Sequence, residues 1–87
     1  GVEAVSIPAP AYPKESRRLG QEGVVVVRIL VGPNGLAIKA QLLRPCPFTR
    51  LNEAALSAAR RGVFLPAMRL GCASEEWIEI PFRFVLR

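Results

Sequence analysis

Residues 22–43, EGVVVVRILVGPNGLAIKAQLL, confine the fold more tightly than any other stretch of the chain. Two strand-like runs, about Gly23–Val31 and about Leu36–Leu43, flank the turn chemistry GPNG. Pro33 presets its own φ, and Asn34-Gly35 tolerates the positive φ that a tight hairpin demands. The first strand raises a problem, because successive side chains point to opposite faces of a sheet. Val25, Val27, Ile29 and Val31 make one apolar face; Val24, Val26 and Leu30 make the other apolar too, interrupted only by Arg28. A chain of 87 residues builds one modest core. Cover for the second face is therefore scarce, and the apolar residues 1–11 are the expected cover, with self-association as the other way to hide it.

The remaining elements follow from local signals. Residues 1–11 show no helical or strand period and carry Pro8 and Pro10, which reads as an extended, polyproline-like entry. Pro13 suits a helix start and Gly20 a helix stop, so a short helix is expected over about 13–19. After RPCPF breaks the sheet pattern, Thr49 is placed to cap a helix rich in strong formers, LNEAALSAARR. Leu51, Ala55, Ala58, Ala59 and Gly62 form a stripe of mostly small residues, which lets that helix lie close to a sheet. Residues 62–76 read as irregular. The closing strand, WIEIPFRFVLR, alternates cleanly, with Ile78, Ile80, Phe82, Phe84 and Leu86 on one face and Trp77, Glu79, Pro81, Arg83 and Val85 on the other.

Joining these elements predicts an α+β fold: a three-stranded antiparallel sheet in the order second, first, third strand, with two helices packed on one face. Pro81 then places the last strand at an edge. Proline cannot donate to a ladder, so its nitrogen belongs on the outward side, and the odd-numbered residues 77–85 turn their backbone groups to the free edge. A long free edge is a template for another strand, and Pro81, Glu79 and Arg83 either protect it or belong to a working surface.

The composition narrows the chemistry. There is no histidine and no aspartate, which removes the usual nucleophile–base constellations and most metal sites. No catalytic residue, metal or cofactor is expected. The net charge is +5, but the cations are scattered in ones and twos with no basic stripe, which argues against nucleic acid as partner. Cys46 and Cys72 are too few for a zinc site and are not spaced as a redox motif. One disulfide between them and two free thiols both stay open at this level. What remains is a binding module, with two features above background: the last strand's edge, and the segment PAYPKE, whose prolines hold Tyr12 in a stiff entry.

These residues resemble the C-terminal domain of TonB, the periplasmic energy transducer of Gram-negative bacteria. The shared pattern runs over 10–86: P-x-Y-P at Pro10, Tyr12 and Pro13; E-G-x-V-x-V from Glu22; P-N-G at Pro33; L-N-E-A-A-L from Leu51; A-x-R-R-x-x-F-x-P-A from Ala58; and W-x-x-I-P-F-x-F-x-L from Trp77 to Leu86. Departures are Ala9 where many members carry glutamine, Gly62 where tryptophan is common, and Glu15 where a basic residue is common.

The resemblance implies a division into residues 1–11, the end of a proline-rich periplasmic linker, and a TonB-like domain over 12–87. It implies an inner-membrane anchor and the ExbB and ExbD partners through regions upstream. It implies capture of the TonB box of outer-membrane receptors, added as a strand to the last strand, for siderophore, haem or cobalamin uptake. Carried onto this chain, the receptor-binding residues are Pro10, Tyr12 and Pro13 with Glu79, Pro81, Arg83 and Val85 on the edge, while Lys14, Arg17 and Arg18 attract acidic groups. A homodimer is a further expectation from the resemblance. The alternatives are a TolA-like periplasmic domain for envelope integrity and a dimerising structural module.

Overall fold

In a computed structural model the described residues are 2–87. The central strand is β2 (Gly23–Val31), flanked by β3 (Ala37–Arg44) and β7 (Glu76–Phe84), both antiparallel to it. The predicted order is the observed one, and the fold is α+β with two helices and an antiparallel three-stranded sheet. Of the NG pair only Gly35 takes the positive φ, +80°, and a side chain there would collide with the Phe64 carbonyl. Val25, Val27, Ile29 and Val31 are all fully buried, so the even faces of β7 and the helices share the core with this side of β2.

Helix α2 (Thr49–Arg60) lies on β2 and β3 and barely reaches β7. Its stripe is as expected: Leu51, Ala55, Ala58, Ala59 and Gly62 are buried. Fully burying an apolar side chain such as Leu51 is worth about 2 kcal/mol, and small neighbours let the backbone approach closely enough to do so. Thr49, however, makes no capping bond; Phe48 is the N-cap, and Thr49 is already helical. The helix start is fastened by Asn52 instead. Its Nδ2 donates to the Cys46 carbonyl and its Oδ1 accepts from the Cys46 amide, both at 2.9 Å. A buried side chain reaching back six residues is a tertiary contact that propensity does not reveal. The short helix α1 (Lys14–Arg18) follows Pro13 as predicted.

The expected role of the N-terminal residues is corrected by the structure. They do not cover the second face of β2. Glu3–Ser6 forms a strand, β1, paired antiparallel with β4 (Val63–Leu65). Val2, Ile7 and Tyr12 pack against the core cluster, and Tyr12 meets Phe84, which is on the helix side of the sheet. The chain between β1 and α1 therefore runs from the turn end of the sheet, where the Phe64 amide donates to the Gly35 carbonyl, to the Phe84 end. At that end Tyr12 packs on Phe84 of β7, a strand that α2 barely reaches. Residues 63–74 are also less irregular than expected, since β5 (Ala67–Arg69) and β6 (Cys72–Ser74) form a separate hairpin. Its turn, Leu70-Gly71, has positive φ at both positions, and a leucine there carries no sequence signal for a turn.

β3 departs from the simple alternation as well. Register shifts fall between Val26 and Val27 and between Leu30 and Val31, so Leu43 and Ile38 are extra residues. Ala40 and Leu42 pack on the core, but Ile38, which strict alternation would put beside them, is 49% exposed. No pairing of Cys46 with Cys72 exists here: both are free, the first buried and the second exposed in the β5–β6 hairpin. Among the described residues, no helix is long and apolar enough to cross a membrane.

Candidate functional site

The described surface contains no pocket, so a partner must be met on an edge or a face. The edge of β7 has the clearest geometry. All nine residues of β7 oppose β2 without a register shift, from Gly23–Phe84 to Val31–Glu76. Pro81 stands directly opposite Val26. Because proline lacks an N–H, that rung must be a pair that exchanges no hydrogen bonds, and the bonded rungs are its neighbours, Val25–Phe82 and Val27–Ile80. It follows that the amides of Trp77, Glu79 and Arg83 point away from β2. β7 has no second neighbour in its sheet, so these donors and the alternate carbonyls are unpaired. Glu79, Pro81 and Arg83 are exposed, and Val85 is 62% exposed just past the strand.

The far end of the edge is tied off by side chains. By the same alternation the next bonded rung would join Gln21 to Leu86. Both of its partners are already taken. The Tyr12 hydroxyl donates to the Gln21 carbonyl, and a Glu22 carboxylate oxygen accepts from the Leu86 amide at 2.6 Å. Tyr12 is held by three further contacts of its ring: an edge-to-face approach to Phe84 with centroids 5.5 Å apart, the Arg17 guanidinium 4.8 Å from its centroid, and packing on the core cluster. Its phenol titrates above the ordinary 10.0, first because partial removal from water penalises the phenolate, then because Glu22 repels it; Arg17 pulls the other way.

The structure thus brings Tyr12 and Arg17 to the Val85 end of the edge, while Glu79 and Pro81 lie farther along it. Pro10 and Pro13 are half-buried, on either side of Tyr12, and Lys14 is exposed on α1. Arg18 is engaged within its own helix: its Nε donates to Glu15 at 2.8 Å and a second nitrogen bonds the other carboxylate oxygen. That pairing holds the Glu15 carboxyl below its usual range. Sequence reasoning missed Gln21 and Glu22 as the residues that end the ladder. Their only available signal was position, immediately before the first strand. It also missed the stack of Arg28 on Trp77, with the guanidinium 3.8 Å from the ring centroid.

This geometry defines a class: a small α+β module whose three-stranded sheet leaves one straight edge unpaired. The sequence model for the C-terminal region of Gram-negative bacterial TonB proteins matches residues 8–86, and the chain belongs to that family. It is 35% identical over 79 residues to "Protein tonB2" of Pseudomonas aeruginosa, covering 91% of this chain and 29% of that protein. It is 36% identical over 77 residues to "Protein TonB" of Vibrio cholerae, covering 88% of this chain and 32% of the relative. "Protein TonB" of Neisseria meningitidis serogroup C matches at 35% over 83 residues, 93% of this chain and 27% of the relative. The chain thus spans about a third or less of the length of these relatives. Its fold is similar to the solution NMR structure of the Pseudomonas aeruginosa TonB CTD, with a TM-score of 0.79 at 21% identity, covering 98% of this chain and 86% of that one.

Proposed function

We propose that this domain is the non-catalytic receptor-binding module of a TonB-type energy transducer, taking the TonB box of an outer-membrane receptor as an added strand on β7. The observation that carries the reading is the unpaired, unshifted edge of β7 with Pro81 opposite Val26. An added strand gains main-chain bonds from Glu79 and Arg83 and from the carbonyls between them, and side-chain contacts with Val85 at one end. Tyr12, with Pro10 and Pro13 stiffening the chain about it, supports the end of the edge. Lys14 and Arg17 draw acidic groups toward it, and Arg18 contributes less because Glu15 already holds it.

In this reading residues 1–11 are the last part of a proline-rich linker that crosses the periplasm from an inner-membrane anchor, where ExbB and ExbD supply energy from the proton gradient. Siderophores, haem or cobalamin are the cargo classes. A strand pulled along its length loads several backbone bonds together, which makes an added strand a sound mechanical handle. The same edge also suits a second copy, so a homodimer through β7 and receptor binding exclude each other at this site.

The test is an NMR titration of the labelled domain with synthetic TonB-box peptides, with sedimentation to establish the oligomeric state. Amide shifts concentrated at 77–85 and near Tyr12 are expected. A folded monomer that shifts with none of the peptides from the organism's own receptors would refute the proposal.

A further inference from the structure

Strand addition at the β7 edge leaves the β2 and β3 columns of the sheet's other face free, and that face has a composition of its own. Directly opposed residues share a face, so the ladder lays it out in rungs: Val24 beside Arg83; Arg44, Val26 and Pro81; Gln41, Arg28 and Glu79; Lys39, Leu30 and Trp77. The middle column, on β2, is apolar apart from Arg28. The two outer columns carry Lys39, Arg44 and Arg83, all exposed. Glu79 is the single carboxylate on the grid. Among the described residues none of these cations is in an ion pair; the one ion pair lies in α1. Arg28 is directly opposite Glu79, yet its guanidinium lies over Trp77. Val24 is 47% exposed and Trp77 38%, and the N-terminal residues that could have covered them are paired with β4 instead.

We infer that this face is a second docking surface, and that its occupant is an acidic amphipathic helix of another protein. The column from Val24 to Leu30, interrupted by Arg28 and widened by Pro81 and Trp77 on β7, is about 20 Å long, roughly four turns of helix. Two cations, Lys39 and Arg44, border it on β3 about 4.8 Å away, and on β7 Arg83 lies at one end with Glu79 farther along. The complement is an apolar stripe with carboxylates concentrated along the border that meets β3, which is the pattern of an acidic amphipathic helix. A helix on this face also completes the sheet as the middle of three layers, the usual way of covering both sides. A second copy of this chain is a poor occupant, because two faces with the same excess of positive charge repel each other.

The probe is a synthetic amphipathic helix of about 18 residues, with leucines at i, i+3, i+4 and i+7 bordered by glutamates. A twin peptide carries lysines in place of the glutamates. Each is titrated into the labelled domain, as are vesicles of phosphatidylglycerol. The acidic helix is expected to shift the amides of 24–30 and 39–44, with affinity falling as salt is raised. The twin is expected to leave those amides in place. The double variant Lys39→Glu/Arg44→Glu, at exposed positions, is expected to weaken binding of the acidic helix by about tenfold or more. Equal shifts with both peptides, or none on this face with the acidic one, overturn the inference without any appeal to the variant. Shifts with the vesicles alone also overturn it, since the occupant would then be a lipid surface. Because the readout lies on β2 and β3, its failure is distinguishable from failure of peptide capture at 77–85.

Discussion

β3 and β7 are both outer strands of one sheet, and they treat their free edges in opposite ways. β3 is interrupted twice, at Leu43 and at Ile38, where extra residues break the ladder and twist the strand away from a regular template. β7 runs nine residues without a shift. Its only irregularity is chemical, the missing donor of Pro81. Bulges are the ordinary protection of an edge against unwanted pairing. One edge of this sheet, eight residues long, carries that protection and the other, nine residues long, does not. The ends of the two strands are also secured differently. The chain leaving β3 is held at Cys46 by two buried bonds with the Asn52 side chain, whereas the chain leaving β7 is held at Leu86 by one exposed bond that its amide donates to Glu22. The strand with the open edge is straight and lightly tied, and the other outer strand is interrupted and locked.

The largest break in this comparison comes from reversing the direction that Pro81 implies. Ile80→Pro removes an inward donor from the β2–β7 ladder and is expected to cost about 3 kcal/mol or more in urea unfolding. Arg83→Pro removes an outward donor instead, and equal destabilisation by the two would show that the even residues do not face β2. Next in size is the lock on β3: Asn52→Ala strands the Cys46 amide and carbonyl in a buried site, with an expected loss of about 2–3 kcal/mol. A loss within error of zero would mean that the α2 start is held by packing alone.

Arg83→Pro removes one outward donor from the open edge. Stability is expected to change little, while affinity for an added peptide falls about threefold to tenfold, read by titration calorimetry. Smaller still is Glu22→Ala, expected to cost about 1 kcal/mol or less and to speed hydrogen exchange at Leu86 without altering exchange at Phe82. The smallest effect is on pH. Glu15 titrates below its ordinary 4.5 because Arg18 bonds its charged form. Its support for α1 is complete above that ordinary value and is lost as pH falls through the lowered one. The pair is exposed, so the change is slight, and a carboxyl 13C titration of Glu15 with a midpoint at or above 4.5 would contradict it.

Most of the architecture was legible because it rests on local patterns. The NG hairpin, the period of the last strand and the small-residue stripe of α2 each specify an element within a dozen residues. Pro81 even assigns an edge and a direction, since a missing donor has meaning wherever the strand lies. The errors share a cause. Thr49 satisfied the local rule for a cap, but the helix start is held by Asn52 reaching back to Cys46. Glu22 carries no local signal for its role because its partner, the Leu86 amide, is remote in the chain. Ile38 fitted the alternation of β3 until a bulge turned it outward.

The N-terminal segment shows the same limit at larger scale. That Val2, Val5 and Ile7 needed somewhere to go was evident from their chemistry. Which face they served was not, because hydrophobicity is proportional to area and carries no direction. α2 covers β2 and β3 but scarcely β7, so the tail was drawn to the gap on the helix side, with β1 on β4. From residue types and spacing alone came a hairpin, two helices, an edge strand and the side of that strand left free, since turns, periods and missing donors act over short range. Only the tertiary structure decided what tied off each strand, which outer edge was bulged and which face stayed open, because those depend on groups far apart in sequence competing for the same backbone atoms and the same apolar surface.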